Sequence, residues 1–150
     1  MRFLLFTLFS LVLFSCEKGL TVQQQLQADI GKIEDYLSKN NLVAQSTASG
    51  LHYIISVPGS GGHPSLSSKV KVNYVGKILN TGDIFDQTTG TPREFKLNEV
   101  IQGWQEGIPL LKRGGKGIFL IPSALGYGPY GSGSIPGNTP LIFDVELIDF

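Results

Sequence analysis

Residues 93–122 read "REFKLNEVIQGWQEGIPLLKRGGKGIFLIP", and they predict a strand, a short helix and a second strand in close succession. Residues 93–97 are typical of a short strand, and Asn98 is positioned to cap the helix that follows. The apolar residues that recur at helical spacing in that helix are Val100, Ile101 and Trp104. Residues 117–122 form an apolar run that predicts a buried strand.

Further strands are predicted on both sides of this stretch. Residues 69–78, "KVKVNYVGKI", alternate between apolar and polar positions, and "NTGD" at 80–83 is a typical hairpin turn. Residues 51–57 and 141–150 are also typical of strands. Short strands around one short helix favour an α+β fold over a doubly wound parallel sheet.

The composition indicates one modest domain without a nucleic-acid-binding surface. The chain has 150 residues, 41% of them hydrophobic, and its twelve basic residues balance its twelve acidic residues. No basic stripe is present, so contacts to a phosphate backbone are not expected and nucleic acid is excluded as a partner.

Residues 126–131, "GYGPYG", match the G-x-G-x-x-G fingerprint of dinucleotide-binding folds. Such a site needs a helix that begins at the third glycine, with its N–H groups facing the pyrophosphate. Gly131 is instead followed by "SGSIPGNTP", which cannot sustain a helix. The match is therefore interpreted as part of a glycine-rich loop, and no cofactor is predicted.

The amino terminus has the layout of an export signal. Arg2 precedes an apolar run, and "LFSC" at 13–16 resembles a bacterial lipobox. Cys16 is the only cysteine, so no internal disulfide can form, and its lipidation is the favoured interpretation. An ordinary cleaved signal with a leftover cysteine is the alternative. Residues 1–15 are thus a predicted lipoprotein signal peptide, and lipidated Cys16 would anchor the chain to a membrane.

An amphipathic helix is predicted after the lipid site. Thr21 and Gln24 have the spacing of a capping box, and Asn40 is a reasonable end. The apolar stripe consists of Leu26, Ile30, Ile33 and Leu37. This stripe packs either on the chain's own domain or, in the alternative, against a second copy in a homodimer through helix 21–39. Residues 43–50 are interpreted as a short linker.

No nucleophile or metal site is evident from the sequence. His52 and His63 have no ligand partners at suitable spacing, and Asp83 and Asp86 are interpreted as the surface of a hairpin. Aromatic residues are instead enriched in the strand region: Tyr74, Phe85, Phe95, Trp104, Tyr127 and Phe143. Singly they favour core packing, but together they could line an apolar pocket.

At these residues the chain resembles a known family. Residues 50–150 resemble the FKBP-type peptidyl-prolyl isomerases. The stretches that carry the resemblance are "VNYVGKILNTGDIFDQT" at 72–88, residues 95–122, "LGYG" at 125–128 and "PLIFDVELIDF" at 140–150. The resemblance implies a twisted antiparallel sheet of five to six strands wrapped around one short helix. Residues 16–49, which hold the lipid site, the amphipathic helix and the linker, would precede this domain.

The resemblance also implies a proline-binding site and a role for each of its residues. Trp104 would form the floor, and Asp86 would accept hydrogen bonds at the edge. The Ile101 N–H and the Tyr127 hydroxyl would bind peptide carbonyls, and Ile135 would cover the site. The implied walls are Tyr74, Phe85, Phe95, Val100, Ile101 and Phe143.

The function that follows is peptidyl-prolyl cis-trans isomerisation during the folding of exported proteins. The implied partners are proline-containing polypeptides and macrolide-type inhibitors, and the implied location is a membrane anchor facing the periplasm or the cell exterior. Leu97 stands where the family often has an aromatic residue, and Ser134 makes the loop after Tyr127 more polar. These departures motivate the alternative of a slow or non-catalytic peptide-binding chaperone module.

Overall fold

The computed structural model describes residues 19–150. An 18-residue helix, α1 (Val22–Lys39), comes first. Thr21 accepts a hydrogen bond from the Gln24 backbone, and the Gln24 side chain bonds back to the Thr21 N–H. The capping box is therefore confirmed, and Asn40 ends the helix as predicted.

The strands of the described residues form one antiparallel sheet. They are β1 (Gln45–Ser46), β2 (His52–Val57), β3 (Lys69–Ile78), β4 (Ile84–Gln87), β5 (Arg93–Lys96), β6 (Lys116–Ile121) and β7 (Leu141–Asp149). The spatial order is β1-β2-β6-β7-β3-β4, and β5 also pairs with β3. The predicted α+β class, antiparallel sheet and preceding helix are confirmed. The sheet has seven strands, because β1 forms inside the predicted linker and pairs with β2.

The short helix α2 spans Gln102–Gly107, so the prediction that Asn98 caps it is wrong. Leu97–Glu99 form a separate 3-10 turn, and Val100 is extended at φ −97° and ψ 176°. Leu97 is fully buried, which fixes that turn against the core. The Gln105 side chain donates a 2.8 Å hydrogen bond to the Val100 carbonyl and holds the extended residue in place.

The sheet buries apolar residues on both of its faces. On β6, Phe119 belongs to the cluster that packs around α2, while the next residue, Leu120, belongs to the cluster under α1. Phe143 and Ile142 divide in the same way on β7. Neighbouring strand residues point to opposite faces, so burial on both faces requires uninterrupted apolar runs in these two strands.

Helix α1 uses its apolar stripe inside its own chain. Ile33 and Leu37 pack with Leu79, Leu120 and Ile142 on the outer face of the sheet. The structure therefore shows the first of the two alternatives for this helix, in which the apolar stripe packs on the chain's own domain. A homodimer through helix 21–39 stays a prediction, and the stripe on which it rested is occupied.

Two further predictions concern the amino terminus. The predicted signal peptide at 1–15 and the lipidation of Cys16 lie outside the described residues. Within residues 19–150, no helix combines the length and the hydropathy that a membrane span requires. The division at residue 50 likewise stays a prediction.

Candidate active site

A cavity of about 310 Å³ lies between the inner face of the sheet and α2. Its lining residues are Tyr74, Phe85, Asp86, Phe95, Glu99, Val100, Ile101, Trp104, Tyr127 and Phe143. Every residue predicted for the site is among them except Ile135, and Glu99 is the one that sequence reasoning missed. Glu99 is at the rim, where Lys96 donates a 2.8 Å hydrogen bond to it.

Aromatic rings build the floor and the walls of this cavity. The Trp104 ring is buried and meets the rings of Tyr74, Phe143 and Phe95 edge to face, at centroid distances of 5.1, 5.3 and 5.6 Å. Such T-shaped contacts are the favoured geometry for aromatic pairs, and each adds about 0.5–1.5 kcal/mol beyond burial. The cavity therefore has rigid apolar walls around a single indole floor.

Strand register explains how these rings come together. Alternation along β3 points Tyr74 inwards, and its neighbour two residues on is Gly76, which pairs with Phe143 of β7. A Cβ atom on Gly76 would stand 2.7 Å from the Phe143 ring and 2.8 Å from the Phe85 ring. Gly76 is therefore the residue that makes room for two walls, and sequence reasoning missed it.

The polar edge of the cavity is a three-residue network. The Tyr74 hydroxyl donates a 2.5 Å hydrogen bond to Asp86 Oδ2, as the resemblance implied. Arg93 Nη1 lies 2.8 Å from the Tyr74 hydroxyl oxygen and 3.0 Å from Asp86 Oδ1. The guanidinium also lies over the Tyr74 ring, 5.7 Å from its centroid. Arg93 had no predicted role; its only signal was its position at the start of β5, which pairs with β3.

The pKa values of these groups fix their protonation states. Burial, reinforced by the hydrogen bond to Asp86, raises the pKa of Tyr74 to about 12. Partial burial acts to raise the pKa of Asp86, but the Tyr74 hydroxyl and the Arg93 charge outweigh it and the pKa is lowered. Burial and the Asp86 charge raise the pKa of Tyr127. At neutral pH the edge thus holds one carboxylate and two protonated phenols.

Hydrogen-bond donors at the cavity are free to meet a ligand. Among the described residues, the Ile101 N–H and the Tyr127 hydroxyl have no acceptor within hydrogen-bond reach. Trp104 Nε1 is buried and likewise has no partner there. A peptide carbonyl has two lone pairs, so it is a suitable acceptor for either rim donor.

Ile135 lies beside the cavity and not in its lining. It is buried in the apolar cluster around α2, and its backbone closes a tight turn with Ser132 through two 2.9 Å hydrogen bonds. Gly131 has φ +70°, and a Cβ there would stand 2.1 Å from the Ile135 carbonyl oxygen. Gly131, the third glycine of the G-x-G-x-x-G match, therefore serves this tight turn, and no helix follows it.

A larger depression, of about 520 Å³, lies on the outer face of the sheet. Polar and apolar side chains both line it, and two of the lining residues, Lys116 and Glu146, form an ion pair of 3.1 Å. Of the aromatic residues that line the cavity beside α2, Tyr74 alone also lines this depression, and the Trp104 floor is not part of it. Among residues 19–150 no cluster of three or more potential metal ligands occurs. The aromatic cavity is therefore the candidate site.

Comparisons with known proteins identify the family of this chain. The family model of FKBP-type peptidyl-prolyl cis-trans isomerases matches residues 61–148. A probable FKBP-type peptidyl-prolyl cis-trans isomerase of Haemophilus influenzae is 43% identical over 142 residues, which cover 93% of this chain and 58% of that protein. The isomerase FkpA of Aeromonas hydrophila is 46% identical, over 78% of this chain and 45% of its own length. The chain thus spans about half the length of these relatives.

Solved structures share the architecture. A peptidyl-prolyl cis-trans isomerase from Pseudomonas syringae matches with a TM-score of 0.73 and 33% identity, over 88% of this chain and 97% of that one. FkpA from Escherichia coli matches with a TM-score of 0.72 and 38% identity, over 85% of this chain and 63% of its own. The chain belongs to the FKBP-type peptidyl-prolyl cis-trans isomerase family.

Proposed function

We propose that this chain is a peptidyl-prolyl cis-trans isomerase. The observation that carries the proposal is a cavity that combines an indole floor with unpaired N–H and O–H donors at its rim. The floor is suited to a small apolar ring, and the donors are suited to the carbonyls on either side of it. A proline-containing polypeptide segment presents both features at once.

The proposed binding mode follows from the geometry. The proline ring lies on Trp104 between the walls formed by Tyr74 and Phe143. The Ile101 N–H holds one peptide carbonyl and the Tyr127 hydroxyl holds another. Because Asp86 is ionised and is held by Tyr74 and Arg93, it closes the edge as a fixed acceptor.

Such a cavity is sufficient for the chemistry. Rotation about a peptide bond faces a barrier of about 18–20 kcal/mol because resonance must be broken. The two isomers of an Xaa-Pro bond differ by only about 0.5–1 kcal/mol, so only the rate needs assistance. The planar amide is more polar than the twisted one, so a water-poor cavity disfavours the planar form relative to the twisted form. Donors that grip the twisted geometry more strongly lower the barrier further.

We further propose that the chain acts on exported proteins. The predicted signal peptide at 1–15 and the lipid site at Cys16 support a membrane-anchored lipoprotein that faces the periplasm or the cell exterior. Macrolide-type inhibitors are proposed ligands of the same cavity, since they would fill it with an apolar ring and place carbonyls at its rim. No cofactor is proposed.

The experiment that tests the proposal is cis/trans exchange of a series of Xaa-Pro peptides, measured by NMR with the full chain. Trp104→Ala and Tyr127→Phe remove the floor and the rim donor. Tyr130→Phe is the matched control, because it removes a hydroxyl from the same loop at a side chain that is 95% exposed. Acceleration that both site variants weaken and the control preserves would support the isomerase.

Binding without acceleration would establish the alternative, a peptide-holding module on the same fold. If the chain shows no binding and no acceleration, the proposal is overturned altogether. The homodimer through helix 21–39 is tested separately by the mass of the chain in solution.

A further inference from the structure

Asp29 on α1 is the buried carboxylate of the described residues, with no exposed surface. It lies on the outer side of the sheet and does not line the aromatic cavity. A carboxylate without water is costly unless hydrogen bonds replace the water. Its partners therefore indicate what it does.

The main partner of Asp29 is Ser123, 94 residues away in the sequence. Asp29 Oδ2 accepts hydrogen bonds from the Ser123 backbone N–H at 2.9 Å and from the Ser123 hydroxyl at 2.5 Å. Gln25 donates to the other carboxylate oxygen at 2.8 Å, and Lys32 Nζ is 3.5 Å away. Ser123 begins the 3-10 turn Ser123–Leu125, which has no side-chain cap of its own. Asp29 therefore supplies the cap from a different element.

The capped turn leads directly to the rim of the cavity. The Ser123 carbonyl accepts hydrogen bonds from the N–H groups of Gly126 and Gly128, at 3.0 and 2.8 Å. These two glycines flank Tyr127, whose hydroxyl is one of the rim donors. Ser123 is thus held by Asp29 through its N–H and in turn holds both neighbours of Tyr127 through its carbonyl.

We infer that Asp29 is a positioning residue for the isomerase reaction, acting through Ser123 on Tyr127. The inference rests on the proposed function. It gives α1 a second role besides covering the outer apolar face, because the same docking contact sets the place of a group that binds substrate. Glycines on both sides leave Tyr127 little local restraint of its own. The segment is held instead by the two hydrogen bonds to the Ser123 carbonyl, which Asp29 positions, and by a 2.9 Å hydrogen bond that the Asn138 N–H donates to the Gly128 carbonyl.

The test compares Asp29→Ala, Asp29→Asn and Ser123→Ala in the full chain. In Asp29→Asn the side-chain oxygen can still accept the hydrogen bonds from Ser123. Its NH₂ group can donate to the Gln25 side-chain oxygen once the Gln25 amide turns over, so Asp29→Asn should retain most activity. Misplacement by about 1 Å can cost on the order of a hundredfold in rate, and we expect Asp29→Ala to lower kcat/KM about tenfold. Asp35→Ala is the matched control: it removes an exposed carboxylate from the same helix and should leave kcat/KM unchanged.

A double-mutant cycle with Tyr127→Phe identifies the route of the effect. If Asp29 acts through the Tyr127 hydroxyl, Asp29→Ala should cost little further kcat/KM in the Tyr127→Phe background. Fully additive losses would overturn the inference. The inference would also be overturned if Asp29→Ala and Ser123→Ala both lowered the unfolding temperature but left kcat/KM unchanged. Asp29 would then only dock the helix. Ser123→Ala keeps the test decisive if Asp29→Ala fails to fold.

A measurement that needs no turnover separates this inference from the proposed function. The backbone amide NMR signals of Gly126, Tyr127 and Gly128 should shift in Asp29→Ala and stay in place in Asp35→Ala. If the wild type does not accelerate isomerisation but these signals move, the proposed function fails and the positioning contact stands. If the signals do not move, the positioning contact is overturned whatever the wild-type rate.

Discussion

Gly103 in α2 lies so close to Ile121 in β6 that a Cβ atom on Gly103 would stand 2.6 Å from Ile121 Cγ2. The next residue in the helix is Trp104, the floor of the cavity. We expect Gly103→Ala to push α2 away from the sheet and to tilt the indole. Overpacking of this kind costs about 1–3 kcal/mol of unfolding free energy, which denaturant titration would measure.

Gly31→Ala is the control for that experiment. Gly31 is in the middle of α1, and a Cβ there would meet nothing within 4 Å. Its replacement should raise the unfolding free energy by up to about 1 kcal/mol through helix propensity alone. A loss of stability at Gly31, or a gain at Gly103, would contradict the packing described for the two helices.

Gly76→Ala tests the walls of the cavity. The added methyl would overlap the rings of Phe85 and Phe143, so both rings must move and the cavity must change shape. We expect kcat/KM for a prolyl peptide to fall at least about tenfold, because a misplaced wall disturbs the bound geometry. Gly62→Ala, with no neighbour within 4 Å, should leave kcat/KM unchanged. Equal activity of the two variants would show that the walls tolerate displacement.

Arg93→Lys tests the polar edge. The guanidinium reaches the Tyr74 hydroxyl oxygen and both carboxylate oxygens of Asp86 at once, from a single nitrogen, while its other nitrogen binds the Gln87 carbonyl at 3.2 Å. Lysine keeps the charge but loses this fork. We expect peptide affinity to weaken several-fold, measured by titration of Trp104 fluorescence. Arg113→Lys, at an exposed pair with Asp149 remote from the cavity, is the control and should bind normally.

The pH dependence of the reaction follows from the three groups at the edge. The pKa of Asp86 is lowered by the Tyr74 hydroxyl and the Arg93 charge, so its carboxylate stays charged at neutral pH and into the acid range, while the pKa values of Tyr74 and Tyr127 are raised, so both hydroxyls stay protonated. We expect kcat/KM to be flat from roughly pH 6 to 9 and to fall only in acid, where Asp86 gains a proton and ceases to be an acceptor. A bell-shaped profile centred near neutrality would contradict this arrangement.

Most of the fold was predictable because its determinants are local. The alternation in residues 69–78 predicted β3 at its observed bounds, and Thr21 with Gln24 predicted the start of α1. The start of α2 was not predictable from Asn98, since the burial of Leu97 in the core decides it. Strand β1 was missed because two polar residues carry no periodicity, and only the pairing with β2 defines them.

The candidate site likewise has residues that local sequence predicts and residues that only long-range contacts explain. Its aromatic residues were found from the sequence because large side chains and motif order identify them. Gly76 and Gly103 were missed because the need for glycine arises only from rings and strands that are distant in sequence. The Asp29–Ser123 contact joins residues 94 positions apart, and no pattern within either segment predicts the other.

The short connection between α1 and the sheet has a consequence for how firmly the helix is held. Only residues 40–51 separate the end of α1 from β2, so the helix meets its docking face at an effective concentration that is typically millimolar for short tethers. Even a weak intrinsic affinity between helix and sheet then keeps the face covered nearly all the time. A separate peptide with the sequence of α1 would compete poorly for that face. An exchange of helices between two chains would require both helices to leave their docking faces at the same time.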